Sequence, residues 1–435
     1  ARALSLLFSL GTLVLSAFAA RGGTAPDGER PAEERAPWRE TVATFLPPML
    51  IAASPPFSVW SMSGSEIPLF TFLLLAGCML LRKGQRPGSA FIVFGLLGLV
   101  RPEGTLYFAI ALAYSILRGP RRAAVALAGA GIAVVFYAPY LLWKWRYFHA
   151  ILPNTFYAKT GPLGLMLSNG ARYLMGFFSS CGYLVVVGIL LRGAAGRQRE
   201  RDIPALLLAA VCALVVLVLG GDWMPHYRLL LPALPLVMVF VSREVAALAA
   251  RDVRARLLAA ALVLLAMAPA AVNYDAFKTE QVTVRAFALL GQRLQDILPE
   301  GTSIGCGSTG AIGYYTDTRI VDILGLTEPQ IARHGQVVSR QPGHLKADGA
   351  YVFERKPDLL LLGNVQIHRG EWDRARMPIK VQEQPIIEQS EFDGYYDFVN
   401  IPIGGGFYLS CFKLKSYFLP VEPSSARDDA PGVTR

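Results

Sequence analysis

A succession of apolar segments constrains what this chain can fold into more than any other feature. Crossing the ~30 Å hydrocarbon core of a bilayer takes about 20 apolar residues per helix. Only 17% of the 435 residues are charged, against about 25% in soluble proteins. The pattern therefore predicts a mainly α-helical, polytopic membrane protein with about ten transmembrane helices. The candidate segments are residues 2–20, 41–58, 67–82, 89–101, 104–118, 123–143, 170–192, 203–220, 229–243 and 256–273.

Two of these segments have special features. Residues 41–58 contain the pair "PP" twice, which favours a broken or re-entrant helix. Residues 2–20 resemble the apolar core of a signal peptide, but no basic region precedes them and no clear cleavage site follows, so we interpret them as a spanning helix. The first residue is Ala rather than Met, and we expect a processed or N-terminally truncated chain.

The arginine and lysine residues of the connecting loops are distributed unevenly. Alternate loops hold 18 of them, and the intervening loops hold five. Basic residues accumulate on the cytoplasmic side of membrane proteins, so the first set of loops is expected in the cytoplasm and the C-terminal part outside it. The net charge of +10 is thereby explained without nucleic acid, since no basic–aromatic stripe occurs. The basic loops are residues 21–40, 82–88, 118–122, 192–201 and 243–256.

The C-terminal part has a different pattern. "VRAFALLGQRLQDIL" (283–297) predicts an amphipathic helix. "GTSIGC", "RIVDIL" and "PDLLLLG" predict short buried strands, and "FDGYYDFVN" and "FYLSCFKLK" predict a late strand pair. We expect a transmembrane domain over residues 1–275 and an extracytoplasmic α/β domain over 276–419. Residues 420–435 are too polar and proline-rich to pack and are expected to be a disordered tail.

The cysteines give little information about function. Cys306 and Cys411 lie in the C-terminal domain and could pair if it faces an oxidising compartment. No CxxC motif and no zinc-ligand spacing occurs in the sequence.

Chemically versatile side chains concentrate in the loops expected outside. These loops are "WSMSGSEIP", "RPEG", "KWRYFHAILPNTFYAKTG" and "GGDWMPHYR". Each residue has a structural alternative, because Arg and Trp also serve as anchors at the membrane interface. An acid beside an apolar segment is costly and tends to be functional, and the clustering favours a site. The candidate catalytic acids are Asp222, Glu66 and Glu103, and the candidate substrate-binding residues are Arg101, Asn154, Tyr157, Lys159, Trp223, His226 and Arg228.

Such a cluster suits a phosphate-linked sugar carried on a lipid. Arg and Lys pair with phosphate, and a carboxylate can accept the proton of an acceptor hydroxyl. Arg101, Lys159 and Arg228 are the phosphate candidates. The acids could hold a divalent cation, although no ligand spacing requires a metal.

One motif is typical of a different kind of site. "GCGSTG" (305–310) follows a predicted strand and matches G-x-G-x-x-G, with Asp322 at a suitable distance for a dinucleotide site. The match is short and lies in a domain expected outside the membrane. A tight strand-to-helix turn is the preferred interpretation, with an anion-binding nest as another.

The loops resemble a known family. "WSMSGSEIPLF", "RPEG", "PNTFYAK", "GGDWMPHYRLLLPALP" and "GSTGAIGYYTDTRIVDILGLTEPQIARH" are similar to polytopic bacterial glycosyltransferases of the GT-C type, in particular the family of the mycobacterial terminal β-(1→2) arabinofuranosyltransferase. The resemblance covers most of residues 40–365. "PNTFYAK" together with "GGDWM" is fairly specific, whereas "RPEG" is common in GT-C proteins.

The resemblance implies an inverting transfer of a sugar, with arabinofuranose as one candidate, from a polyprenyl-phosphate donor to a cell-envelope glycan or lipid acceptor. The reaction would take place on the outer face of the bacterial inner membrane. It also implies donor or acceptor roles for the matching residues. In this family the general base is an acid in the first outer loop, which the sequence does not match. Either that acid lies upstream of this chain, or its role falls to Glu66, Glu103 or Asp222.

Two other functions compete with a glycosyltransferase. A transporter of lipid-linked glycans would carry its polar groups near the midplane and within repeated halves, and no second half resembles the first. A non-catalytic envelope scaffold would use the C-terminal domain as a binding module and would tolerate substitution of Asp222 and Arg101.

Overall fold

The computed structural model describes residues 1–21, 37–83, 87–118, 121–182, 184, 187–188, 191, 202–250, 252–272, 274–363 and 365–419. The chain divides into two compact units. Unit 1 comprises residues 1–151 and 163–275, and unit 2 comprises residues 152–162 and 276–435. The tail expected to be disordered, 420–435, and the end of the candidate segment 170–192 lie outside the described residues.

The regular secondary structure in the described part of unit 1 is helical. A π-helical turn, Phe178–Gly182, extends α9, and a 3₁₀ turn, Arg228–Leu230, precedes α11. The helices are α1 (Arg2–Arg21), α2 (Pro37–Ala52), α3 (Pro55–Trp60), α4 (Ile67–Lys83), α5 (Pro87–Val100), α6 (Gly104–Arg118), α7 (Arg122–Phe148), α9 (Leu163–Phe177), α10 (Ile203–Leu219), α11 (Ala233–Ala249) and α12 (Val253–Val272). The intervening α8 (Asn154–Lys159) belongs to unit 2.

The polarity of α1 is the reverse of that of a helix on a water-soluble protein. Hydroxyl residues spaced along one side of the helix are buried, while the leucines of the other side are exposed, with Leu7 60% exposed. Small and hydroxyl residues at helix contacts, with leucines outward, are typical of helices packed in lipid. The buried hydroxyl residues are Ser5, Ser9, Thr12 and Ser16.

Much of the apolar surface of α7 is exposed. The helix has 27 residues, and in its most apolar stretch of 18 residues, about 27 Å long, only 6% is buried. Of the described helices, α1 and α7 are by length and composition long and apolar enough to cross a membrane. Shorter apolar stretches are Glu40–Ala52, Ile67–Leu81, Gly88–Val100, Gly104–Arg118 and Ile203–Leu219.

The expected break in segment 41–58 is present at its second proline pair. Pro47 and Pro48 lie inside α2, whereas Pro55 and Pro56 begin the separate helix α3 after Ser54. Proline suits the first helical turn because its missing N–H has no partner there in any case. The break turns the chain before the loop that carries Glu66.

Unit 2 is built on a mixed sheet. The central strand β1 pairs in parallel with β2 and β5, and β8 pairs antiparallel with β5, β6 and β7. The strands β3 and β4 form a separate antiparallel pair. The strands are β1 (Ser303–Cys306), β2 (Arg319–Asp322), β3 (Gln336–Val337), β4 (Lys346–Ala347), β5 (Leu359–Leu361), β6 (Gln366–Arg369), β7 (Tyr396–Gly404) and β8 (Phe407–Leu414).

Both faces of this sheet are covered. Successive residues of a strand point to opposite faces. Leu360 accordingly packs in a core with Phe392 and Phe412, while its neighbours Leu359 and Leu361 pack in a second core with residues of α13. The helices of unit 2 besides α8 are α13 (Tyr274–Ile297), α14 (Thr309–Tyr315), α15 (Pro329–His334), α16 (Gly349–Glu354), α17 (Gln384–Ile387) and α18 (Phe392–Tyr395), with a 3₁₀ turn at Arg374–Arg376.

The two cysteines of unit 2 do not pair. Cys306 on β1 and Cys411 on β8 are buried free thiols, and β5 separates their strands. Burial raises the pKa of each thiol to about 12, so both stay protonated at neutral pH.

Candidate functional site

The loop between α5 and α6 places one guanidinium between two carboxylates. Arg101 Nε donates to Glu103 Oε1 and Arg101 Nη1 donates to Glu66 Oε1, each at 2.5 Å. The loop turns tightly, since a Cβ at Gly104 would lie 2.2 Å from the carbonyl oxygen of Leu97. Glycine is therefore required where "RPEG" enters α6, and the turn brings Arg101 and Glu103 to the same side.

The three candidate acids differ in the solvent exposure of their side chains. The side chain of Glu66 is 45% exposed, that of Glu103 is 22% exposed, and that of Asp222 is 2% exposed. A general base must reach the hydroxyl from which it removes a proton. Glu66 meets this condition best.

Two glycines shape the loop "GGDWMPHYR". Gly220 and Gly221 have positive φ values of 78° and 73°, a conformation that side-chain-bearing residues rarely adopt. The N–H of Gly220 caps α10 by donating to the carbonyl of Val216. A Cβ at Gly221 would lie 2.8 Å from Cβ of Tyr173. The pair thus ends α10 and lets the loop pass close to α9.

Asp222 and Arg228 form an ion pair across this loop. Asp222 Oδ2 accepts a hydrogen bond from Arg228 Nε, and Asp222 Oδ1 accepts one from the backbone N–H of Trp223. The guanidinium of Arg228 also lies over the ring of Trp60, 5.5 Å from its centroid. Its terminal nitrogens make no hydrogen bond to a described residue. Arg228 is thus held at one edge and retains donors at the other.

His226 and Tyr227 have left-handed backbone conformations, with φ values of 58° and 48°. Each such residue costs of order 1–3 kcal/mol and persists where the surroundings hold it. The ring of Tyr227 is held by Tyr173, with ring centroids 5.2 Å apart, and by Phe177, at 6.0 Å. Burial lowers the pKa of His226, so its imidazole is neutral at pH 7.

A small internal cavity lies beside Arg101 and Glu103 and reaches Leu229, the residue after Arg228. Its volume is about 20 Å³, and its walls include Arg101, Glu103, Tyr107 and Leu229. Arg101 and the residue next to Arg228 therefore line the same cavity in unit 1.

Three predicted substrate-binding residues belong to unit 2. Asn154 Nδ2 donates to the carbonyls of Gly325 and Leu326, at 2.9 and 3.1 Å. The carbonyl of Tyr157 accepts from Lys346 Nζ at 2.9 Å. Lys159 ends the same short helix, α8. Asn154 and Tyr157 thus fasten residues 152–162 to the loop after β2, and their substrate-binding role stays a prediction.

The G-x-G-x-x-G match forms a strand-to-helix turn. Asp322 is fully buried and accepts hydrogen bonds from the backbone N–H groups of Leu324 and Thr327, at 2.9 and 2.8 Å. Its carboxylate thus organises the turn after β2 and does not face a ribose. The helix after the match, α14, has seven residues.

Sequence reasoning missed several residues of the site. Trp60, interpreted as an interface anchor, is 6% exposed and lies under Arg228. Tyr173 lies in an apolar segment and carries no signal of its own in the sequence. Among the described residues no group of three or more His, Cys, Asp or Glu could hold a metal ion, so the divalent cation stays a prediction.

One region of the chain matches a known protein family. A family described as a domain of unknown function, DUF8728, matches residues 273–401. No curated protein and no solved structure matches the chain. The matched residues begin at α13 and end within β7, so they cover most of the C-terminal unit and none of the ion-pair clusters.

Proposed function

We propose that this protein is a membrane-embedded glycosyltransferase of the GT-C type. It would move a sugar from a polyprenyl-phosphate donor to a cell-envelope glycan or lipid acceptor at the extracytoplasmic face of a bacterial inner membrane. The observation that carries the proposal is the cluster of Glu66, Arg101 and Glu103, in which an accessible carboxylate is fixed by an arginine that a second carboxylate holds.

The membrane setting is supported by the surfaces of α1 and α7. Monomeric soluble proteins rarely expose contiguous apolar patches larger than a few hundred Å². A helix that buries its hydroxyl residues and exposes its leucines is suited to packing in lipid. A core helix of a soluble protein would be mostly buried, whereas α7 is mostly exposed.

In the proposed reaction Glu66 is the general base. It accepts the proton of the acceptor hydroxyl while that oxygen attacks the anomeric carbon. The bond from the anomeric carbon to the phosphate oxygen breaks, and the polyprenyl phosphate leaves with the electron pair. Arg101 orients Glu66 through the hydrogen bond from Nη1, and its own charge is already matched by two carboxylates.

Arg228 is the proposed phosphate ligand. Its Nε is engaged by Asp222, and its terminal nitrogens are available for a bidentate contact with phosphate oxygens. The role of Asp222 is to position Arg228, since its carboxylate is 2% exposed. Lys159 remains a further predicted phosphate contact.

The test is transfer of labelled sugar by the intact gene product in membranes supplied with polyprenyl-phosphate sugars. Glu66→Gln should lower transfer by about 100-fold or more, the usual contribution of a general base. The matched control is Glu40→Gln, which changes an exposed acid in the first turn of α2 and should leave transfer unchanged. Absence of transfer by the wild type from every polyprenyl-phosphate sugar would refute the proposed function.

A further inference from the structure

A cavity of about 330 Å³ opens beside the loop "GGDWMPHYR". Its walls include Pro55 and Pro56 of α3, Tyr173 of α9, and the loop residues Asp222, Trp223 and His226. Its volume lies at the lower end of the range of small-molecule sites, roughly 300–1,000 Å³. The cavity is thus of a size for one small ring rather than for a lipid-linked disaccharide.

The described residues that line this cavity present no free charge. They include no lysine or arginine. The carboxylate of Asp222 is paired with Arg228, which is not among the lining residues. Burial lowers the pKa of His226. An anion placed here would meet a buried carboxylate and no cation, which is unfavourable.

The cavity does offer polar and aromatic contacts. Nε2 of His226 is buried and has no hydrogen-bond partner among the described residues. The backbone holds this imidazole in place through the left-handed conformations of His226 and Tyr227. The indole of Trp223 is 47% exposed, and aromatic faces pack against the apolar faces of sugar rings.

We propose that this cavity binds an uncharged saccharide ring, the terminal sugar of the acceptor, and that His226 Nε2 hydrogen-bonds one of its hydroxyls. The assignment to the acceptor rests on the proposed function. The donor phosphate is expected at Arg228 and not in this cavity. The binding of a neutral sugar can be measured independently of transfer.

The experiment uses saturation-transfer NMR on the intact protein in lipid nanodiscs. The probes are methyl glycosides of arabinofuranose, galactofuranose and mannopyranose, each with and without inorganic phosphate. The wild type should bind at least one glycoside. His226→Ala should weaken that binding roughly tenfold, as expected for one hydrogen bond with a buried partner.

The matched control is His149→Ala. His149 also has a left-handed conformation, at the end of α7, but it is exposed; its replacement should leave glycoside binding unchanged. Trp223→Ala provides a second variant, because this side chain lines the cavity and is 47% exposed. It should weaken binding as well.

The outcomes separate the inference from the proposed function. Sugar transfer by the wild type without any glycoside signal, or a signal that phosphate displaces, would overturn the inference and leave the function standing. A signal that His226→Ala and Trp223→Ala do not alter would also overturn it. Glycoside binding that depends on His226, in a protein that transfers no sugar, would support the saccharide site and refute the glycosyltransferase.

Discussion

At the scale of single residues, the two arginines of the site are in different situations. Arg101 is enclosed by Glu66 and Glu103, whereas Arg228 has one carboxylate and an aromatic face. The sequence alone predicts that these charged residues lie in loops. It does not predict their pairing, because Glu66 and Arg101 are 35 residues apart and their contact depends on how α4, α5 and α6 pack.

The ion pair of Asp222 and Arg228 should be a coupled unit. Asp222→Asn leaves a largely buried guanidinium without its counter-charge, and we expect a loss of about 3 kcal/mol in the free energy of unfolding. The double variant Asp222→Asn with Arg228→Gln should cost less than the sum of the single variants. Thermal unfolding in detergent measures all four proteins. Additive costs would mean that the two residues do not interact.

Asp322 should give unit 2 an unusual pH dependence. Burial raises the pKa of its carboxyl despite hydrogen bonds from Thr327 and Leu324, which lower it. The stability that Asp322 contributes is therefore complete below its unfolded-state pKa of about 3.9. It is lost as the pH rises through the folded-state pKa. The difference in Tm between wild type and Asp322→Asn should thus shrink from pH 4 to pH 7, and a difference that grows would contradict this assignment.

At the scale of elements, apolar length predicted helix positions well where proline or glycine marks the ends. Segment 203–220 corresponds to α10, Ile203–Leu219, and segment 104–118 to α6, Gly104–Arg118. The predicted segment 170–192 begins seven residues after the observed start of α9 at Leu163. Ser168 and Asn169 interrupt the apolar pattern there, although Asn169 is 2% exposed.

In unit 2, some strands could be predicted from the sequence and others could not. The late pair was predicted, and β7 and β8 are antiparallel over most of their length. The strands β3, β4 and β6 could not be predicted, because β3 and β4 have two residues each and β6, "QIHR", contains a single apolar residue. Pairing with β8 defines β6.

The reversed polarity of α1 leads to a prediction about packing. Thr12 is fully buried, and its hydroxyl donates to the carbonyl of Phe8 in the same helix. Thr12→Leu adds volume to a closed contact and should destabilise the protein by about 1–3 kcal/mol. Val14 is 58% exposed, and Val14→Leu should change stability by less than about 0.5 kcal/mol. Tm values in detergent distinguish the two variants. Equal effects would mean that Thr12 does not lie on the buried side of α1.

At the scale of the whole molecule, the sequence does not predict that residues 152–162 belong to unit 2. These residues sit between two helices of unit 1, yet Asn154 bonds to Gly325 and Leu326, more than 170 residues away. No local pattern encodes such a contact. The predicted boundary near residue 275 matches the second division of the chain but omits this insertion.

Lys346 should hold this segment in place. Its ammonium donates to the carbonyls of Tyr157 and Ala332, at 2.9 and 2.6 Å. Lys346→Met removes two charge-assisted hydrogen bonds, each worth about 1.5–3 kcal/mol. Limited proteolysis within residues 152–162 should then be at least about tenfold faster. Lys380→Met, which changes an exposed lysine, is the control and should leave the cleavage rate unchanged; equal rates in both variants would contradict the anchoring role.

The contact between Tyr157 and Lys346 also sets the order of events during synthesis. The two residues are 189 positions apart. At about 5–20 residues per second on the ribosome, roughly 10–40 s separate their appearance. During that time the amide of Asn154 and the carbonyl of Tyr157 must be covered by water or by a chaperone. The C-terminal unit can therefore be completed only after residue 346 has left the ribosome, however early its first segment was made.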